Sequence, residues 1–257
     1  MKITFLGTGT SSGVPMIACS CDVCRSDDSR DQRLRSSVMI EHNGQVVVVD
    51  SGPDFRQQML NVDAARLDAL LFTHEHKDHI AGMDDVRAFN FQSGKPMEVY
   101  ASVRVQKALE REYHYVFHDE GYPGVPRVNM NTIHQGEAFK VADMDVLPVN
   151  VWHHKLPVMA FRFADFSYVT DANAIDDPEK EMLRDSKILV LNALRKEAHV
   201  SHFTLDEAIA LGKELNAAEV YLTHISHQLG KHADVSLQLP PDVYLAYDGL
   251  QIEMPVA

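Results

Sequence analysis

The chain has 257 residues, 45% of them hydrophobic, and a formal net charge of −13 at pH 7. Long nucleic acids bind to basic grooves, so this acidic balance disfavours a polynucleotide substrate but permits a small phosphorylated substrate at a cationic metal centre. The first apolar run is too short for a signal peptide, no run reaches the ~20 residues that span a membrane, and three cysteines are too few for a disulfide-stapled secreted protein. We expect a cytoplasmic protein without a membrane partner.

The predicted elements alternate between strands and helices along the chain. A hairpin is predicted at Asn43-Gly44, and Thr204 opens a helix in which Glu207 completes a capping box. The predicted strands are residues 2–6, 37–41, 46–50, 69–72, 98–101, 146–152, 160–169, 187–191 and 220–223. The other predicted helices are residues 55–65 and 103–115. No linker divides the chain, so we predict one α/β domain over residues 1–257, with two mixed β-sheets and outer helices.

The strongest chemical signal is T-H-E-H-K-D-H at residues 73–79, directly after the apolar run A-L-L-F. His74 and His76 lie two residues apart, so on an extended chain both imidazoles point the same way. Asp78 and His79 follow at once. Imidazole and carboxylate ligands at this density suit zinc, manganese or iron, whereas the alternative is a solvated histidine-rich loop.

This H-x-H-x-D-H motif after a hydrophobic strand resembles that of the metallo-β-lactamase superfamily. The resemblance implies a four-layer αββα sandwich with a two-metal site between its two mixed β-sheets. V-V-V-V-D-S-G-P at residues 46–53 looks like the strand and turn that precede the superfamily's histidine motif. T-D-A at Asp171 matches its bridging aspartate, and L-T-H-I-S-H at His224 matches its final histidine.

Within the superfamily, the chain resembles the PhnP-like cyclic phosphodiesterases. The matching pieces, spread from residue 7 to residue 249, are G-T-G-T-S-S-G-V-P, C-S-C-D-V-C, T-H-E-H-K-D-H, H-K-L, S-H-F-T-L, T-H-I-S-H-Q and Y-D-G. The resemblance implies a phosphodiesterase that opens small cyclic ribose phosphodiesters, such as a cyclic nucleotide or a ribosyl cyclic phosphate. It also implies a homodimer.

The resemblance implies two divalent metals, Mn²⁺ or Zn²⁺, that share a hydroxide as the nucleophile. The implied ligands are His74, His76 and His153 for the first metal, Asp78, His79 and His224 for the second, and Asp171 as the bridge. Asp78 counts as a catalytic residue as well as a ligand. His153 and His154 are adjacent, and the family spacing to Lys155-Leu156 favours His153.

A leaving alkoxide needs a proton, and PhnP-like enzymes place a histidine just before a helix for this purpose. S-H-F-T-L puts His202 there, two residues ahead of Thr204. Nearness to a helix N-terminus disfavours the imidazolium and makes His202 a stronger acid. The alternative is a histidine of a surface loop.

Other polar residues are predicted to be structural or solvated. G-T-G-T-S-S-G after the first strand fits neither a dinucleotide fingerprint nor a P-loop, so we expect a tight turn. Arg33 and Arg35 are predicted to form a solvated charge cluster, with contact to a substrate phosphate as the alternative. The histidines predicted to be structural or at the surface are His42, His114, His118, His134, His154, His199 and His232.

All three cysteines lie in C-S-C-D-V-C, at Cys19, Cys21 and Cys24. The spacing indicates zinc, while redox and iron–sulfur roles compete with it. Because the chain has no fourth cysteine, a histidine must complete a zinc tetrahedron. His227 follows His224 by three residues, and the family resemblance indicates the same residue. We expect a structural Zn²⁺ that ties the N-terminal loop to the segment carrying His224.

Two classes of function therefore remain. One is a metal-dependent hydrolase, for which tRNA 3′-processing and lactone or thioester hydrolysis are alternatives to phosphodiester cleavage, because the ligands determine the nucleophile rather than the electrophile. The other is a non-catalytic metal-binding accessory protein. The complete ligand set favours the hydrolase.

Overall fold

The computed structural model describes residues 1–118 and 124–255. Within these residues, fourteen strands form two seven-stranded sheets. The strands are β1 (Lys2–Gly7), β2 (Ser37–His42), β3 (Gln45–Val49), β4 (Ala69–Leu71), β5 (Met97–Ala101), β6 (Val128–Thr132), β7 (Phe139–Val141), β8 (Met144–His153), β9 (Leu156–Phe163), β10 (Phe166–Tyr168), β11 (Ile188–Asn192), β12 (Glu219–Thr223), β13 (Val243–Leu245) and β14 (Gln251–Glu253). The α-helices are α1 (Phe55–Asn61), α2 (Lys77–Ile80), α3 (Arg87–Ser93), α4 (Val103–Glu112), α5 (His114–His118), α6 (Asp177–Leu183), α7 (Leu205–Glu214) and α8 (His232–Ser236).

Both sheets are mixed, as predicted. The first has the order β14-β1-β2-β3-β4-β5-β6, antiparallel from β14 to β3 and parallel from β3 to β6. The second has the order β13-β12-β11-β10-β9-β8-β7, antiparallel from β7 to β10 and parallel from β10 to β13. Parallel strands end at the same edge of a sheet, so each sheet gathers several strand ends at one place.

The hydrophobic core has three layers because side chains alternate across each strand. In β3, Val47 and Val49 face the cluster shared by both sheets, which also contains Phe161 and Phe163 of β9. Val48 faces the opposite cluster, against helices α1, α3 and α4. A third cluster packs the second sheet against α6, α7 and α8. Helix, sheet, sheet and helix thus form the predicted four-layer αββα sandwich.

Several element boundaries differ from the predictions. The helix predicted over residues 103–115 is two helices, α4 and α5, and the strand predicted over residues 160–169 is divided between β9 and β10. Ala164 turns between these two strands with a φ of 51°. The capping box of Thr204 and Glu207 is present at α7. No helix among the described residues has the length and apolarity needed to cross a membrane.

Candidate active site

The predicted ligands come together at one edge of the sandwich, where strands end. His74 follows β4, Asp171 follows β10, His224 follows β12, and His153 is the last residue of β8. Asp171 and His224 have φ values of 51° and 54°, the left-handed region that non-glycine residues rarely occupy. Backbone strain of this kind persists where the surrounding structure fixes it and is typical of functional sites.

Asp171 is the centre of the site. Its Oδ1 atom lies 2.9 Å from Nδ1 of His224 and 3.4 Å from Nε2 of His79. Its Oδ2 atom lies 3.7 Å from Nε2 of His74 and 3.5 Å from Nε2 of His202. Asp171 is only 2% exposed, so this one buried carboxylate faces four imidazoles.

The donors fall into overlapping groups that share Asp171. The first group contains four residues whose ligand atoms lie within 4.8 Å of one another: Asp78, His79, Asp171 and His224. A second group at this distance is His74, His76 and Asp171, and a third is His153, Asp171 and His202. The His153 ring centroid is 5.2 Å from that of His76, whereas the neighbouring His154 is exposed. Of this pair, His153 is the histidine that the structure brings into the site.

The donor set fits metal ions. Nε2 atoms of His74, His79 and His202 are buried without a hydrogen-bond partner among the described residues. An unpaired buried polar atom is costly, and a metal ion would satisfy those of His74 and His79. Neutral imidazoles with carboxylates are the ligands that zinc and manganese accept.

The protonation states agree with this fit. Burial, together with the charge of His79, holds the pKa of His74 well below its usual value, so its ring is neutral and has a free lone pair. Burial opposes ionisation of Asp171, but His224 and His79 outweigh it and hold the pKa of Asp171 well below its usual value. For His79, burial is outweighed by Asp171, Asp50 and Asp78, which raise its pKa. Without a metal, three carboxylates therefore draw a positive charge onto His79.

Asp50 fixes the orientation of two proposed ligands. It is fully buried, accepts hydrogen bonds from the backbone N–H and hydroxyl of Thr73 at 2.9 and 2.8 Å, and lies 2.6 Å from Nδ1 of His79. Because the Thr73 hydroxyl donates to Asp50, its lone pair is available to Nδ1–H of His74 at 3.0 Å. Each ring then keeps a proton on Nδ1, so that its Nε2 faces the site and is free to bind a metal ion once the ring is neutral.

Close backbone contact brings the Asp50 turn against α2. A Cβ atom on Gly52 would lie 2.0 Å from the carbonyl oxygen of Asp78, far inside van der Waals contact. Only glycine fits at this position. The V-V-V-V-D-S-G-P segment thus supports Asp78 and His79 from behind.

His202 lies inside the site and is 9% exposed. Its ring centroid is 4.6 Å from that of His153 and 4.9 Å from that of His224. Burial lowers the pKa of His202 to about 4, although the nearby carboxylate of Asp171 acts in the opposite direction. The structure therefore places His202 beside the predicted ligands rather than in a solvated loop.

Two side chains contact residues of the site although the sequence assigned them no role there. Asp50 lies in a motif that was recognised, but no role was assigned to it because its contact with His79 spans 29 residues. His199 was predicted to be structural or at the surface, yet its Nδ1 lies 3.2 Å from Nδ1 of His202. The H-x-x-H spacing of His199 and His202 was the available signal.

The prediction of a solvated arginine cluster is wrong for Arg33. Arg33 as a whole is 4% exposed, and its guanidinium donates to the Thr8 hydroxyl at 2.8 Å and to the Ala246 carbonyl at 2.6 Å. Burial lowers the pKa of Arg33 to about 10. Arg35 forms an ion pair with Asp54 at 3.0 Å. Arg33 therefore ties the N-terminal loop to the C-terminal segment and is not available to a phosphate.

A second donor cluster joins the N-terminal loop to the His224 segment. Ligand atoms of Cys19, Cys21, Cys24 and His227 lie within 4.8 Å of one another. Nδ1 of His227 is 3.5 Å from Sγ of Cys19 and 3.3 Å from Sγ of Cys21. A hydrogen bond from the backbone N–H of Cys24 lowers the pKa of the Cys21 thiol to about 6, and a hydrogen bond with the His227 side chain contributes in the same direction. Three thiols and one imidazole are a complete tetrahedral zinc set.

Comparison with known proteins identifies the fold. A family model described as "Beta-lactamase superfamily domain" matches residues 45–225. A solved structure described as a new diphosphatase from the PhnP family is 39% identical, with a TM-score of 0.93, over 99% of this chain and 98% of that one. Zn²⁺-bound PqqB from Methylobacterium extorquens is 18% identical, with a TM-score of 0.79, over 99% of this chain and 100% of that one, and shows the fold alone.

Two curated relatives are longer than this chain. An octanoyltransferase of Porphyromonas gingivalis is 37% identical over 253 residues, which are 98% of this chain and 51% of the relative. A ribonuclease Z of Methanococcus maripaludis is 24% identical over 205 residues, which are 75% of this chain and 60% of the relative. The alignments thus cover about half to three fifths of these relatives.

Replacing Asp50 should destabilise the protein strongly. Asp50→Ala removes the acceptor shared by Thr73 and His79 in a fully buried place, so we expect the free energy of unfolding to fall by about 3–5 kcal/mol. Urea denaturation measures this. Asp143→Ala, at an exposed position, is the matched control and should change stability by less than about 0.5 kcal/mol. Equal denaturation midpoints for the two variants would contradict the role given to Asp50.

Proposed function

We propose that this chain, which belongs to the PhnP-like group of the metallo-β-lactamase superfamily of hydrolases, is a binuclear metal-dependent phosphodiesterase. Its proposed substrates are small cyclic ribose phosphodiesters. One observation carries the proposal: two sets of metal donors share the single carboxylate of Asp171, and His202 lies against that carboxylate. A shared carboxylate supports two ions held side by side, which is the arrangement that suits phosphoryl chemistry.

The proposed metal ligands are those that the sequence indicated. His74, His76 and His153 would hold one ion, Asp78, His79 and His224 would hold the other, and Asp171 would serve both. When bound, two divalent ions activate water as a nucleophile near neutral pH and stabilise charge on the phosphoryl oxygens. His76 is the exposed member of the set, so substrate approaches from its side.

The residues of the chain have distinct roles in this proposal. Asp50 holds His74 and His79 in the tautomers that ligands need. The carbonyl oxygen of Ser201 accepts from Nδ1–H of His153 at 2.8 Å, which leaves Nε2 of His153 to face the site. His202 donates the proton that the leaving oxygen needs, because an alkoxide is a poor leaving group without one.

A second candidate is diphosphate hydrolysis. The 39% identical solved structure is described as a diphosphatase, and a phosphoanhydride presents similar phosphoryl oxygens to the same donors. The two reactions differ in their leaving groups, since phosphate leaves readily and an alkoxide does not. Dependence on His202 therefore distinguishes them.

Two other substrate classes receive less support. Ribonuclease Z relatives suggest tRNA, but the net charge of −13 opposes binding of a long polyanion. The octanoyltransferase relative suggests a substrate with an octanoyl group, but this chain spans only 51% of that protein. Both classes belong in a substrate panel as comparisons.

Removing His202 tests the proposed function. We expect His202→Ala to keep the metal content of the wild type while lowering kcat for a cyclic ribose phosphodiester by about 10²–10⁴-fold, the loss typical of a missing general acid. Turnover of a nitrophenyl diester should change little because nitrophenolate leaves without a proton. Steady-state kinetics on metal-loaded protein measure both substrates, and His134→Ala, at an exposed position outside the site, is the control.

Two outcomes would contradict the phosphodiesterase proposal. One is an unchanged kcat of His202→Ala with the cyclic diester. The other is a wild-type enzyme that cleaves a diphosphate much faster than any cyclic diester, which would favour the second candidate.

Removing His227 tests the proposed structural zinc site. His227→Ala leaves three thiols without their fourth ligand, so we expect the loss of one zinc ion per chain and a lower thermal midpoint. The binuclear site should still load with manganese. Metal analysis and differential scanning calorimetry measure these effects, with His134→Ala as the control. Unchanged zinc content would overturn the assignment of His227.

A further inference from the structure

The segment H-V-S-H at residues 199–202 brings two imidazoles into contact. Nδ1 of His199 lies 3.2 Å from Nδ1 of His202, and the ring centroids are 5.1 Å apart. His202 is buried against Asp171, whereas His199 is half-buried. The pair therefore extends from the site toward the surface.

The partners of His199 determine which nitrogen carries a proton. The backbone N–H of Ser201 donates to Nδ1 of His199 at 3.4 Å, and a backbone N–H can only donate. Nδ1 of His199 is therefore an acceptor and carries no proton. Burial lowers the pKa of His199, which agrees with a neutral ring. In the pair, Nδ1 of His202 must then be the donor.

This tautomer suits a residue that delivers a proton. With a proton held on Nδ1, neutral His202 has an unprotonated Nε2 that lies 3.5 Å from Oδ2 of Asp171. The Asp171 carboxylate favours the imidazolium form, in which Nε2 has taken up a second proton from solvent. As hydroxide bonds to phosphorus and the P–O bond to the leaving oxygen breaks, the electron pair of that bond goes to the leaving oxygen, and the Nε2 proton moves to it. His202 then returns to its neutral Nδ1–H form without rotating.

We propose that His199 is a positioning residue that fixes the tautomer and ring orientation of His202. The proposal rests on the proposed role of His202 as the proton donor. His199 itself does not touch substrate. Outer partners of this kind, when they hold a histidine of a metal site, typically affect activity by about 10–100-fold.

Ser201 is the competing partner. Its hydroxyl lies 3.1 Å from Nδ1 of His202 and 3.3 Å from Nδ1 of His199, so it is able to accept from His202 in place of His199. A Ser201→Ala variant removes this hydroxyl and keeps the backbone N–H that makes His199 an acceptor. The two variants separate the two partners.

The direct test is the tautomer of His202, measured by long-range ¹H–¹⁵N NMR on the whole protein. We expect the Nδ1–H form in the wild type and in Ser201→Ala, and a shift toward Nε2–H in His199→Ala. His199→Asn should restore the Nδ1–H form because its amide oxygen lies near the place of Nδ1. An unchanged tautomer in His199→Ala, or a loss of the Nδ1–H form in Ser201→Ala alone, would overturn the proposal.

Kinetics give a second readout. His199→Ala should lower kcat for the cyclic ribose diester by about 10–100-fold with little change in KM, in metal content or in nitrophenyl diester turnover. His199→Asn should recover most of this loss, and His134→Ala should lose nothing. If His202→Ala slows hydrolysis of the cyclic diester but His199→Ala does not, the positioning role of His199 is wrong and the role of His202 stands. If His202→Ala has no effect, the role of His202 fails, and the NMR tautomer still decides whether His199 positions its ring.

Discussion

The arrangement of the site depends on one buried carboxylate, Asp171, which faces four imidazoles. At 2% exposure it has little water to stabilise its charge, so its neighbours must do so. One of its oxygens lies near His79 and His224, and the other lies near His74 and His202. This is why donors from distant parts of the chain form one site rather than several separate clusters.

The two sheets bring the residues of the site together at the ends of their strands. Parallel strands deliver Asp171 and His224 to the same edge, and the first sheet delivers His74 opposite them. Behind these residues, Asp50 holds His79 directly and His74 through the hydroxyl of Thr73. The cysteine cluster and Arg33 then join the N-terminal loop to the chain beyond β12. The imidazoles are therefore held in place by these surrounding contacts and not only by the ligand residues themselves.

Much of this was predictable where the signal is local. The Asn43-Gly44 turn between two apolar runs predicted β2 and β3, and the density of donors after β4 predicted the metal site. Predicting Asp171 as a ligand required the family resemblance, because nothing in T-D-A-N alone distinguishes a bridging ligand from a turn residue. The pairing of Asp50 with His79 and the burial of Arg33 depend on contacts between distant segments, which periodicity does not encode. The contact between His199 and His202 was also not predicted, because H-V-S-H alone does not show that the two rings meet.

Metal analysis of the wild type and Asp171→Asn decides whether two metal ions share Asp171. We expect two divalent ions in the active site of the wild type, besides the zinc of the cysteine cluster. In Asp171→Asn both active-site ions should bind much more weakly, while the zinc of the cysteine cluster stays. An Asp171→Asn protein that retains the full metal content of the wild type, with unchanged affinity, would show that Asp171 is not a shared ligand.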